Sequence, residues 1–210
     1  MLVKKVYILF FVAVSLFLFT STHAIAKQAF TTKSLQFELH LEHLLINQAF
    51  HERHLTLTIK TGQMDEAKVL EIELIENTRA IAEVLTPYYG KMNAYLFSNL
   101  LAANSGAIGE YRLAAFKADN EAKKVAADRM NSSSDAMASF LSAPFPKNMG
   151  KDTLGFMFME NQKHQRAVID AVADGDFEAE RKHWNELEAG TYKLAEAIAR
   201  GLANEFPNKF

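Results

Sequence analysis

Cysteine is absent from all 210 residues. That removes disulfide scaffolding, thiolate metal ligation and attachment as a bacterial lipoprotein in one step, and leaves helix packing to supply stability. Proline is scarce, at Pro87, Pro144, Pro146 and Pro207 only, and none of the four falls inside a periodic apolar segment, so long helices can run without a break. Alternating valine- and threonine-rich runs are missing, which argues against a sheet. The formal net charge is only −2, and nothing in it gives a reason to expect nucleic acid as a partner. Nucleophile-elbow, HExxH, P-loop and dinucleotide-binding patterns are missing too. The sequence therefore gives more grounds for a binding or structural role than for an enzyme.

What is present begins with a targeting segment. Lys4 and Lys5 precede an almost unbroken apolar run from Val6 to Phe19, and Ala24-Ile25-Ala26 has the small-x-small form of a cleavage site. The pattern predicts a signal peptide over residues 1–26 and export to the periplasm or the exterior, with an uncleaved membrane anchor as the alternative. Cleavage would leave 184 residues and remove two lysines, bringing the formal charge to about −4. That length suits a single domain over residues 27–210, not membrane-spanning.

Gly62, Gly90, Gly150 and Gly175 join the prolines in punctuating this domain. Six helical segments are predicted, over residues 33–60, 64–86, 91–117, 120–142, 151–173 and 177–203. The fold class expected is all-α, an up-and-down bundle of about six helices. Pro87 should end the second segment. The fourth is read through Asn131-Ser132-Ser133-Ser134 because apolar positions resume one turn later. In the third, the small residues between Leu101 and Gly109 either let a neighbouring helix approach closely or leave room for a ligand.

The first segment carries the candidate chemistry. At about 100° per residue, His40, His43, Asn47, His51, His54 and Thr58 fall in one stripe among Phe37, Leu39, Leu44, Ile46, Phe50, Leu55 and Leu57. Glu38, Glu42, Thr56 and Lys60 fall opposite. This predicts a buried histidine strip. Imidazoles three residues apart share a helix face, but His43 and His51 are separated by about 12 Å of helical rise, so two sites are more sensible than one. Glu160 and His164, an i,i+4 pair on the fifth segment, are plausible completing ligands, with Glu73, Glu76 and Glu110 behind them. Imidazole and carboxylate without thiolate suit zinc, iron, copper or nickel. A haem held by His51 and His164 from different helices is another reading.

Three further readings stand beside these. The histidines can be structural, hydrogen-bonded to Asn47 or Asn77. The stripe can lie between subunits of a homo-oligomer or against a protein partner. A small metal-dependent hydrolytic or redox enzyme is the third. His183, beside Trp184 and off that helix's apolar stripe, reads as a surface residue.

A faint internal repeat accompanies the punctuation. A shift of 113 residues matches Gly62 with Gly175, Leu74 with Leu187, Thr78 with Thr191, Ala82 with Ala195 and His51 with His164. A shift of 56 aligns Asp65 with Glu121. Three αα-hairpins would satisfy both.

Several segments together resemble a family of small, mostly uncharacterised exported bacterial helical-bundle proteins that end in an FPxKF-like segment. They are Glu42-His43, Asn77 with Leu85-Thr86-Pro87-Tyr88-Tyr89-Gly90, Phe140-Leu141-Ser142, Gly175-Asp176-Phe177-Glu178-Ala179-Glu180 and the terminal Phe206-Pro207-Asn208-Lys209-Phe210. The resemblance implies the helical fold and export, and no established activity. It also implies histidines near the positions held here by Met159 or Asn161 and by Glu188 and Gly190. If the family site is metallic, this chain has either moved its ligands toward His40, His51, His54 and His164 or weakened the site, with Glu42 and His43 as the residues carried over as candidates.

Overall fold

The computed structural model describes residues 31–210, so the predicted signal peptide over 1–26 lies outside the described residues. Six helices follow one another: α1 (Thr32–Lys60), α2 (Met64–Tyr89), α3 (Lys91–Phe116), α4 (Asn120–Ser142), α5 (Lys151–Asp174) and α6 (Phe177–Glu205). The all-α, up-and-down bundle is what the periodicity predicts, and no helix among the described residues is long and apolar enough to cross a membrane.

Local chemistry sets the boundaries. Gly175 adopts a left-handed conformation (φ 74°, ψ 20°) at the C-terminus of α5, which side chains with a Cβ disfavour. Asp176 and Asp119 then cap α6 and α4, each carboxylate accepting a 3.0 Å bond from the backbone N–H of Ala179 or Ala122. Pro87 does not end α2, as the sequence suggested; the helix runs on to Tyr89. So close to the helix end the missing N–H forfeits only one intrahelical bond, to the carbonyl of exposed Glu83. The polar run Asn131–Ser134 stays helical, with Ser134 fully buried and its hydroxyl donating to the Met130 carbonyl.

Each helix packs on the next, and α6 returns to α1, closing a ring. α1, α3 and α5 also touch one another across its middle. The chain is thus three αα-hairpins, each contributing its first helix to an inner triangle. Leu74, Leu187, Thr78, Thr191, Ala82 and Ala195, paired by the 113-residue shift, are all buried.

The interior is layered. One large apolar cluster holds Leu41, Leu44, Phe97, Leu101, Leu154 and Phe158 from the inner helices together with residues of the outer ones. At the other end sit Leu55 with Ala67 and Leu70, and Ile108 with Tyr111, Met130 and Ile169. Between them, each inner helix changes to polar residues: Gln48 and Glu52 on α1, Asn104 and Ser105 on α3, Gln162 and Gln165 on α5.

Aromatic rings close the end of the large cluster. Phe210 stacks on Tyr88 at 5.4 Å and meets Phe37 edge-on, Phe206 packs on Phe145, and Tyr89 stacks on Phe140. Tyr88-Tyr89, Phe140 and the terminal Phe-Pro-Asn-Lys-Phe segment therefore meet in one structural cap.

The buried face of α1 differs from the predicted one. Leu41, Leu44, Glu52, Leu55 and Thr56 face inward, while His40 and His43 are exposed and His51 and His54 lie half-buried. The inward face is turned by about a third of a turn from the histidine stripe. Thr56, expected opposite the apolar face, is fully buried. α1 touches neighbours on several sides, so apolar residues occur all round it and the period alone selects no unique face.

Candidate metal centre and buried polar layer

The α5–α6 hairpin turns on Gly175, and the two helices run back from it side by side. His164 stands eleven residues before that glycine and Glu186 eleven after, so the return brings them face to face. His164 Nδ1 lies 3.0 Å from Glu186 Oε2. His183, one turn before Glu186 on α6, places its own Nδ1 3.0 Å from the same oxygen. The donor atoms of His164, His183 and Glu186 all fall within 4.8 Å of one another. The register of α6 here is held by Arg53 of α1, whose guanidinium makes two bonds to Glu180, at 2.5 and 3.1 Å, and lies 4.8 Å from the Trp184 ring centre.

The carboxylate responds to its neighbours. Its partial desolvation pushes the Glu186 carboxyl upward, but the His183 hydrogen bond and the nearby His164, His183 and Lys182 outweigh that and hold it below the ordinary glutamate range. His164 Nδ1 is buried without hydrogen-bond geometry toward any partner, despite facing the carboxylate. All three side chains are partly exposed, and His164 and Glu186 line a groove of about 450 Å³ together with Glu160 and Asn161.

The other predicted ligands are distributed elsewhere. His51 Nδ1 faces Glu73 at 3.4 Å and His54 Nε2 faces Glu66 at 3.3 Å, both across the α1–α2 contact. His43 is hydrogen-bonded to Asn47 at 3.1 Å, and His40 lies exposed near the start of α1. His51 and His164 engage carboxylates of different helices, so their Nδ1 atoms do not share one partner. Glu160 shares the groove with His164 and pairs with Lys163 at 3.2 Å. The sequence reading assigns His183 to the surface and gives Glu186 no role. Their i,i+3 spacing on one helix was a usable signal, and the 113-residue shift places Glu186 opposite Glu73.

The polar layer is a second concentration of chemistry. Glu52 is 2% exposed and accepts a 2.5 Å bond from Arg112, which is 3% exposed and also donates to Thr56 at 2.9 Å. Gln48 donates to Ser105 at 3.1 Å and accepts from Asn77 at 2.8 Å, while Gln162 donates to Asn104 at 2.9 Å. Burial pushes the Glu52 carboxyl above the usual range, against the lowering pull of Arg112 and Ser105. The sequence reading places Glu38 and Glu42 opposite the apolar face and gives Glu52 no role.

No protein-family model matches the chain, and no curated protein or solved structure is similar to it.

Proposed function

We propose that this chain is an exported helical-bundle binding protein that takes up a transition-metal ion between α5 and α6, with His164, His183 and Glu186 as its ligands. The observation that carries the reading is the convergence of two imidazole nitrogens on one carboxylate oxygen, each at 3.0 Å, from two helices. Ligand atoms around a tetrahedral zinc ion with bonds near 2.0 Å stand about 3.3 Å apart, and the two nitrogen–oxygen edges of this triangle, at 3.0 Å each, are already close to that spacing. Two nitrogens and one oxygen suit zinc, and also copper, nickel or iron. Glu160, one turn before His164 in the same groove, pairs with Lys163 and stands outside the triangle, so the fourth position is open to water. A bis-histidine haem finds less support, because His51 and His164 are engaged by different helices.

The test is a titration of the purified protein, without a histidine tag, with Zn²⁺, Cu²⁺ and Ni²⁺ by calorimetry. One ion per chain is expected, with affinity reduced at least tenfold by His164→Ala or by His183→Ala. Binding that survives both substitutions unchanged overturns the assignment. Export is tested separately, by fractionating cells that produce the full chain and sequencing the mature N-terminus; cleavage after Ala26 is expected.

A further inference from the structure

The polar layer contains more hydrogen-bonding capacity than it uses. Gln162 Oε1 and Gln165 Nε2 are buried without a partner, and Glu52 Oε1 makes no well-formed hydrogen bond although the Ser105 hydroxyl stands near that carboxylate, on residues 6%, 4% and 2% exposed. All three line one cavity of about 90 Å³ inside the inner triangle, walled above and below by apolar side chains such as Leu101, Ile108 and Phe158. Buried polar atoms are nearly always satisfied, so a polar cavity with three such groups is a place for a guest.

These three atoms specify its chemistry. Two are acceptors and one is a donor. Arg112 already neutralises Glu52 through Oε2, so the layer as a whole demands no additional charge. A carboxylate guest would bring more oxygens against Glu52 and Gln162, and an ammonium would leave the Gln165 amide without an acceptor. A neutral planar group with N–H donors and a carbonyl satisfies all three. Size limits it as well: a cavity of about 150 Å³ holds benzene, so about 90 Å³ holds some four non-hydrogen atoms. We infer that the polar layer is a binding site for a small neutral amide, of the size of a primary carboxamide or urea.

A route to it is built in. Asn161 lines both this cavity and the α5–α6 groove, and it is seated against Gly190, where an added Cβ would lie 2.2 Å from Asn161 Oδ1. Asn161 therefore stands between the groove and the cavity, and a guest would enter past it.

Acetamide, acetone and acetate have four heavy atoms each and differ in the groups that matter, so they form the test. Each is titrated into metal-free protein while the side-chain amide resonances of Gln162 and Gln165 are followed by ¹⁵N NMR. Saturable one-to-one binding of acetamide is expected, at least tenfold tighter than either isostere, because a site built to satisfy polar groups rejects analogues that lack the partner. Gln165→Met, which keeps the side-chain volume, should bring acetamide down to the level of acetone. No saturable response to acetamide, or equal responses to all three, overturns the proposal and leaves ordered water as the occupant. The use of metal-free protein keeps this outcome separate from the fate of the metal reading.

Discussion

His164 and Glu186 face each other at 3.0 Å, each eleven residues from the left-handed Gly175. The chain makes the same contact 113 residues earlier, where His51 faces Glu73 at 3.4 Å, each eleven residues from Gly62, which also has positive φ. The turn fixes the register of the returning helix, so the same residue types at the same distance from the glycine meet again. Among the positions where the two hairpins differ, one bears on the site. His183 stands where the first hairpin has Leu70, which is buried in the apolar cluster with Leu55 and Ala67. The first pair therefore lacks a second imidazole.

A difference between the two pairs follows. His51→Ala should change Zn²⁺ affinity by less than about twofold, whereas Glu186→Gln should weaken it by about 10–100-fold, since a first ligand counts for at least as much as the outer partners that cost that much when removed. Competition with a chromogenic chelator reads both. Because imidazoles must give up protons to bind metal, the wild-type affinity should also fall as pH drops. Equal losses in the two variants would shift the site toward α1.

Glu52 and Arg112 form a buried ion pair at 2.5 Å, both almost fully enclosed. Arg112→Met should cost about 3–5 kcal/mol in urea unfolding, because it strands a buried carboxylate. Adding Glu52→Met should recover most of that loss, since replacing both charges with apolar groups of similar volume is often neutral. Additive losses would show that the pair stabilises the fold beyond its own mutual compensation.

Gly190 and Asn161 should be strongly coupled. In the native background Gly190→Ala forces a methyl into the amide oxygen of Asn161 and should destabilise by about 1–3 kcal/mol. In an Asn161→Ala background the clash is gone, and the same change should instead stabilise by about 0.5–1 kcal/mol through helix propensity. A thermal-unfolding double-mutant cycle with no sign reversal would mean that Asn161 moves aside freely.

Glu42 should weaken the fold at neutral pH. Desolvation, then the nearby Glu196, raises its carboxyl pKa above the usual glutamate value. The folded state then binds more protons than the unfolded one, so stability is lost as pH rises from the unfolded value of about 4.5 through the folded one. Glu42→Gln should therefore raise stability at pH 7, on the scale of a surface change, about 0.5 kcal/mol or less. Below pH 4.5 the gain should vanish. A gain that persists at pH 4 would point to a cause other than charge.

Much of the site was only half legible. His164 and Glu160 were chosen because they share a helix face, and they do line one groove. Lying off the apolar stripe of α6 makes His183 read as a surface residue, yet the edge of that stripe, where polar and apolar surfaces meet, is where it reaches Glu186. Glu52 went unnoticed because a glutamate among leucines reads as a solvent-facing residue. Its burial depends on Arg112, sixty residues away on α3, and no local pattern announces that partner.

The sequence by itself determined the six helices and nearly all their ends. Apolar periodicity, Gly62 and Gly175, and the capping aspartates act within a turn or two of chain, so they work the same way whatever surrounds them. Only the tertiary structure decided which face of α1 is inside. That helix is wrapped by neighbours on several sides, and a face is buried only when another helix covers it. The same closure placed Gln48, Glu52, Asn104, Ser105, Gln162 and Gln165 in one layer, because a polar residue on one inner helix becomes part of a site only when two others bring theirs to the same height.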